Sequence, residues 1–548
     1  MKKIFQKRIA LALIFVLLAS VVGACGAKTG TSVKEQSTLK AKGGDANTAT
    51  IGFSDSIGSL NPLLMDGTEV EKYAQSFEFL PLVELSQDMT FKGQLASSIT
   101  TDDNTHFTIH LDPKAVWSDG QPVTSADVLY TFLCWVSPEV GNTGNSVNLI
   151  QGVGDDGYVA KGSTSVDGIV AVDDKTVQIT TKQPMALNAF ENVYGRYILI
   201  LPEHALKDIP KESLLKSDWF NAPTVISGPY FAKSEDLNHY VTYKSNPAYF
   251  KGAPKIENLN VKIVSASQLL SGLSSGELDV VQQTTGTILQ EDYKSVQKLK
   301  NVKTFSGAPV TNQSIFINTQ NISNVKIRQA LLYGIDRKTI LKQFMSNSGE
   351  VVDGFLSSAG PFYDSSLKPV SYDQKKAKEL IKEAKAEGFD TTKQYTFYVN
   401  SGDTTFTQVA SYIQAQMAQI GLNLQVKTVD LTSLMSVAAD HKFDIMAVQY
   451  TYAPVDPYTD IAYLLNKNGW TTYQSDVVDK ALSATQTTTD TQAIKSSYLT
   501  VDQDVQQNVP MISAYIISAL GATSNRMENV TPDVYGTFLN VKDWEIKK

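Results

Sequence analysis

A chain of 548 residues is far too long for a single hydrophobic core, so two or more domains are required. Its 42% hydrophobic and 19% charged content is that of an ordinary globular protein. The formal net charge of −8 argues against nucleic acid or an anionic lipid surface as the partner, and says little about a small ligand.

At the amino terminus Lys2, Lys3, Lys7 and Arg8 precede an apolar run from Leu11 to Val22, and Val22-Gly23-Ala24-Cys25 closes it. A basic start, a short greasy middle and small residues before a cut make a secretory signal peptide over residues 1–24. The small-small-Cys ending resembles a bacterial lipobox, which makes Cys25 the expected lipidation site. The chain is therefore expected to be extracytoplasmic, anchored to the cell membrane through that lipid. Residues 25–47 carry few large apolar side chains among Gly, Ser, Thr and Lys, so a flexible tether is expected there. With Cys25 lipidated, Cys134 has no intramolecular partner, and its apolar neighbours read as a buried, inert thiol.

From Thr48 onward strand and helix patterns alternate, which makes the class mixed α/β. His106, Thr108 and His110 interleave with Phe107, Ile109 and Leu111 as a period-two strand. Thr124-Ser125-Ala126-Asp127 is a capping box that opens a helix through Tyr130 and Phe132. Ala377, Leu380, Ile381 and Ala384 make one helical stripe ended by Gly388, and Val409, Ile413, Met417 and Ile420 make another ended by Gly421. Leu422, Leu424 and Val426 then alternate as a strand.

Catalytic signals fail on inspection. Gly272-Leu273-Ser274-Ser275-Gly276 matches the esterase elbow, but that elbow needs a strand before its serine and a helix after it. Here the order is reversed, and the glycines read as a helix-ending turn. Of the five histidines only His106 and His110 are close, and on a strand their Cα atoms lie roughly 13 Å apart. No metal site, cofactor or catalytic group is expected, and the chain does not read as an enzyme.

The string Ala115-Val116-Trp117-Ser118-Asp119-Gly120-Gln121-Pro122-Val123-Thr124-Ser125-Ala126-Asp127-Val128 resembles the signature of the oligopeptide and dipeptide solute-binding proteins of ABC importers, also called family 5. Further segments resemble the same family in the same order: Leu60-Asn61-Pro62, Leu201-Pro202-Glu203-His204, Ser227-Gly228-Pro229-Tyr230, Asn246-Pro247-Ala248-Tyr249, Gly276-Glu277-Leu278-Asp279 and Arg328-Gln329-Ala330. The resemblance implies a two-lobed α/β clamshell like the periplasmic binding proteins, with an extra subdomain inserted in lobe one. Lobe one would comprise residues 48–87, 198–308 and 513–548, the subdomain 88–197, and lobe two 309–512, with hinge strands near its ends. It also implies a peptide ligand, delivery to permease subunits, and a monomer.

In many peptide-binding members of that family, the segment before an acid-Pro pair carries a basic residue, a Gly-Trp and an Asp that holds the peptide ammonium. Here Phe443-Asp444 and Asp456-Pro457 keep their spacing, but Ala447, Gln449-Tyr450 and Ala453 stand at those positions. Both charges are missing, so main-chain contacts and pockets must supply the affinity, and oligopeptides are expected over dipeptides. The alternative is that a nearby acid such as Asp456 takes over the anchor. Expected ligand contacts are Gln449, Tyr450, Thr451, Tyr452 and Ala453, with Asp66, Gly67 and Thr68 from lobe one, Asn400, Ser401 and Gly402 after a strand, and Tyr515. Two alternatives stay open: the same fold holding a non-peptide solute, and a pheromone sensor not coupled to import.

Overall fold

The computed structural model of the protein describes residues 45–65, 68–141 and 147–547. The expected leader, Cys25 and most of the tether lie outside these residues, as do Asp66 and Gly67. Among the described residues one large sheet runs through both lobes. Ten of its strands are β1 (Thr48–Phe53), β2 (Tyr230–Asp236), β3 (Tyr240–Ser245), β4 (Asn258–Ile263), β5 (Val280–Val281), β6 (Val302–Ile317), β7 (Gln394–Asn400), β8 (Asn423–Val429), β9 (Ile445–Thr451) and β10 (Met511–Ser524). They lie in the order β8-β7-β9-β6-β10-β5-β1-β4-β3-β2.

Two features of this sheet place the site. First, β6 and β10 pair antiparallel over nearly their whole lengths, from Val302 opposite Ser524 to Phe316 opposite Met511. These two long strands run through both halves of the sheet, β6 pairing with β9 at one end and β10 with β5 at the other. The register shifts on both sides of Pro309, a residue with no N–H for the ladder. The expected lobe boundaries at 308/309 and 512/513 thus fall inside continuous strands. Second, β7 runs parallel to both β8 and β9, so the carboxyl ends of β7 and β9 emerge at one edge of lobe two. Loops at the carboxyl ends of parallel strands are where α/β sheets hold ligands.

The lobe-two sheet is buried on both faces, and the period of two divides its residues. Ile315, Ile317, Ile445 and Ala447 pack into one apolar cluster, while Phe316, Met446, Val448 and Tyr450 pack into another. Helix Thr404–Ile420 buries its Val409, Ile413 and Met417 stripe on the first face and stops at Gly421, at φ 89°.

Inside residues 88–197 a four-stranded antiparallel sheet packs with helix Ser125–Val136, and the Phe107 and Phe190 rings stack at 4.0 Å. This region shares its core with flanking lobe-one segments, since Leu206, Leu214, Phe220 and Ile226 belong to the same apolar cluster. The string around Trp117 has a mechanical explanation. One Asp127 oxygen accepts from the Thr124 N–H (2.8 Å) and the Trp117 indole N–H (3.3 Å), while the other accepts from the Glu203 N–H (2.9 Å). One buried acid thereby ties a turn and two helix starts together.

Ser274 lies in helix Ala266–Ser275 and is exposed, with the helix before strand β5 rather than after it. Cys134 is fully buried, which pushes its thiol up to about 11.

Candidate ligand-binding site

The lobes meet around the loop that follows β9. Val455 packs with Leu85, Met89, Val534 and Tyr535 from the opposite side, and the Asn188 amide donates to the Val455 carbonyl. Farther out, the Asn104 amide donates to the carbonyls of Gln486 (3.0 Å) and Thr488 (2.9 Å). The loop at 452–457 therefore faces the boundary between the lobes.

The sequence-predicted contacts divide between the two sheet faces. Tyr450 and Tyr452 share one face, their rings stacked at 4.8 Å, with the Trp470 ring 6.0 Å from Tyr450. The Tyr452 hydroxyl meets the Ser314 hydroxyl at 2.9 Å, and the Tyr450 hydroxyl donates to Asp460 Oδ1 at 2.8 Å. Gln449 and Tyr515 are on the other face, each opposite Gln313 in the ladder. The Gln449 amide donates to Asp403 Oδ2 at 3.3 Å. Thr451 is exposed and pairs its hydroxyl with that of Thr311 at 2.9 Å. Ala453 is half-buried, and its carbonyl accepts from the Asp456 N–H at 3.1 Å.

Asn400, Ser401 and Gly402 form the turn from β7 into helix Thr404–Ile420. Ser401 and Gly402 are exposed, and the Asn400 side chain accepts from the Gly402 N–H at 3.0 Å. Thr68 caps helix Glu69–Ser76, its hydroxyl accepting from the Glu71 N–H at 3.3 Å.

Three groups that the sequence reading did not single out belong to this edge. Asp403 caps helix Thr404–Ile420 by accepting from the Phe406 N–H at 2.8 Å, and burial raises its pKa. Asp460 stands one helical turn after Asp456. Burial pushes Asp456 up to about 7, with the Asp460 charge adding to the effect, and burial pushes Asp460 up to about 6. Asn312 is fully buried opposite Tyr450, and neither of its amide atoms has a hydrogen-bond partner among the described residues. The Asp-Pro-x-x-Asp spacing and two adjacent amides inside an apolar strand were the available sequence signals.

On the lobe-one side Glu69, Glu84, Lys72 and Arg196 pair with one another. Arg196 donates to Glu84 and Glu69, both at 2.7 Å, and Lys72 pairs with Glu84. The Arg196 guanidinium also lies 5.0 Å from the Tyr535 ring centroid. Among the described residues, no group of three or more His, Cys, Asp or Glu is arranged to hold a metal ion. The edge offers aromatic faces, unpaired amide atoms and carboxylates.

A model of the bacterial extracellular solute-binding proteins, family 5 (middle region), matches residues 90–472. The oligopeptide-binding protein AppA of Bacillus subtilis is 23% identical over 569 aligned residues, covering 99% of this chain and all of AppA. A solved structure of the ABC transporter substrate-binding protein CtaP from Listeria monocytogenes superposes with a TM-score of 0.77 at 23% identity, covering 92% of this chain and all of that one. The structure of AppA in complex with a nonapeptide superposes with a TM-score of 0.66 at 20% identity, covering 91% and 99% of the two chains. These likenesses establish the two-lobed α/β fold.

Proposed function

We propose, for a chain that belongs to the bacterial extracellular solute-binding proteins of family 5, that it captures peptides between its lobes and hands them to the permease subunits of an ABC importer. The observation that carries this reading is the lobe-two edge, where β7 and β9 end side by side facing the other lobe. Tyr450 and Tyr452 supply aromatic area with polar tips, and Asn312 and Gln313 hold amide atoms with no partner among the described residues. Unpaired amides beside a strand end suit the alternating donors and acceptors of an extended peptide. Likeness to an oligopeptide-binding protein along nearly the whole chain supports the same ligand class. Closure about the two long strands would bury the peptide, as hinge-bending receptors do.

With Ala453 at the position where many relatives carry an ammonium-binding acid, oligopeptides are the proposed ligands rather than dipeptides. Calorimetry of the mature protein with randomised dipeptide, pentapeptide and nonapeptide pools tests this. Binding of the longer pools with micromolar or tighter affinity is expected. Heat from none of the pools, or from dipeptides alone, contradicts it.

We also propose that the receptor is a monomer anchored outside the cell membrane by lipid on Cys25. Cys25→Ala should move the protein from the membrane fraction to the medium or to an uncleaved precursor. A mutant processed and retained like wild type contradicts the anchor.

A further inference from the structure

We propose that the segment 88–197 carries a latch for the closed receptor. Asn104 and the Ala186 N–H grip the end of helix Asp476–Thr487 in lobe two, and so slow the release of any ligand without touching it. The latch goes beyond the peptide-receptor reading above and takes from it only the probes of the test.

The two sides of the latch belong to separate apolar clusters. Asn104 precedes the strand whose Phe107 and Ile109 pack in the cluster of the inserted segment, and Ala186 lies in that cluster too. Helix Asp476–Thr487 buries Val478, Ala481 and Leu482 with Met446, Val448 and Tyr450 of lobe two. No residue is common to the two clusters. In a hinge-bending receptor, a hydrogen bond between them is made as the lobes meet and lost as they part.

The geometry is that of a cap supplied from across the boundary. The Asn104 amide nitrogen donates to the carbonyls of Gln486 (3.0 Å) and Thr488 (2.9 Å). These carbonyls stand at the carboxyl end of the helix, where the last turn has no donors of its own. Beside them the Ala186 N–H donates to Gln486 Oε1 at 3.3 Å. Two residues on, the Asn188 amide reaches the Val455 carbonyl, so the segment touches lobe two at two places.

A second observation separates this amide from an ordinary structural one. Asn104 is 1% exposed, yet its side chain makes no hydrogen bond within its own segment: the nitrogen has only the two carbonyls of lobe two, and the oxygen has no partner among the described residues. Its backbone, by contrast, is fixed locally. The residue sits at φ 58°, a left-handed conformation that asparagine tolerates. Its N–H donates to Thr101 Oγ1 at 2.9 Å, and its carbonyl accepts from the Met185 N–H at 2.8 Å. That last bond ties the Asn104 turn to the stretch that carries Ala186, so both donors are presented as one unit. Donors held in place beforehand lose little freedom on engaging.

Ligand enters and leaves through the open form. Bonds made only in the closed form hold it shut longer and do not obstruct capture. Two neutral hydrogen bonds of ordinary strength together shift the opening equilibrium about tenfold.

The test follows release of fluorescently labelled, randomised pentapeptide and nonapeptide pools from the mature protein. Wild type is compared with Asn104→Asp, Asn104→Gly and Gln486→Ala. Aspartate keeps the backbone preference but cannot donate, and it turns a carboxylate on two carbonyls; glycine accepts the positive φ and removes the amide. Release should be about tenfold faster in both Asn104 variants and about threefold faster in Gln486→Ala, with association no slower than in wild type. The factor should agree within about twofold between the pools, because the latch touches no ligand.

Unchanged release in the variants overturns the latch and leaves the peptide receptor standing. So does a factor confined to one pool, which would make Asn104 a ligand contact. Should Asn104→Asp fail to fold, Asn104→Gly and Gln486→Ala decide. Binding of no pool by wild type contradicts the peptide reading instead, and small-angle scattering of the same proteins without added peptide then tests the latch. A larger radius of gyration in the Asn104 variants is expected, and an unchanged one overturns it.

Discussion

In lobe one, Glu84, Lys72 and Arg196 are buried beside the half-buried Glu69 and each carboxylate meets a cation, whereas across the boundary the half-buried Asp403, Asp456 and Asp460 meet none. The two regions are joined through Tyr535, which lies under Arg196 and packs in the cluster that holds Val455. The paired set is complete without a ligand, and it ties Arg196 to Glu69 and Glu84. The unpaired set leaves the protein with an electrostatic cost. Burial alone does not distinguish a structural charge from a functional one.

Breaking the paired set should have the largest effect. Arg196→Met removes one of the two cations that Glu84 and Glu69 share, leaving Lys72, and unfolding by urea should show a loss of about 3–5 kcal/mol. A loss below about 1 kcal/mol would mean the network is hydrated and the contrast with lobe two is false.

The unpaired set should respond with the opposite sign. An Asp whose folded pKa is raised takes up its proton earlier in the folded state as pH falls. Its stability contribution is therefore full below the unfolded value near 4 and declines as pH rises through the folded value. For Asp456 and Asp460 that window runs from about pH 4 to about 7. The ligand-free protein should lose stability across it, and Asp456→Asn should flatten the profile. After discounting for partial solvent access, a gain of about 1–2 kcal/mol at pH 8 is expected for the variant. A variant less stable than wild type at pH 8 would show that Asp456 has a hidden partner.

Tyr450→Phe sharpens the comparison, because its hydroxyl is the side-chain donor to Asp460. Thermal unfolding at pH 7.5 should report a loss of about 1 kcal/mol, smaller at pH 5 where Asp460 is protonated. Least of all should come from Ser274→Ala on its exposed helix end, within about 0.5 kcal/mol in stability and without effect on ligand retention. Loss of a hydrolytic activity in that variant would overturn the binding-protein account.

What the sequence discloses follows from how local the physics is. The stripes Ala377–Ala384 and Val409–Ile420 are legible because an amphipathic helix states its buried face within four turns. The capping box at Thr124 is legible for the same reason, but the second duty of Asp127, holding the Glu203 N–H, is not. Strand β6 hides itself: Gly307, Pro309 and the adjacent Asn312 and Gln313 look like breakers, and only pairing with β10 and β9 makes one strand of them.

The site shows the same limit. Residues 449–453 form one contiguous stretch and could be aligned against the family pattern. Asp403, Asn312 and Asp460 reach the edge by separate routes, through parallel pairing of β7 with β9, antiparallel pairing of β6 with β9, and one turn of helix Tyr458–Leu464. Alternation along β9 also sends Gln449 and Tyr450 to opposite faces, so a run of neighbouring residues does not line a single surface.

The most direct measurement is native mass spectrometry of the mature protein purified without denaturation, followed by release and sequencing of whatever is bound. The account predicts a series of peptides several residues long. A bound metal chelate, sugar or other non-peptide solute in their place would contradict it.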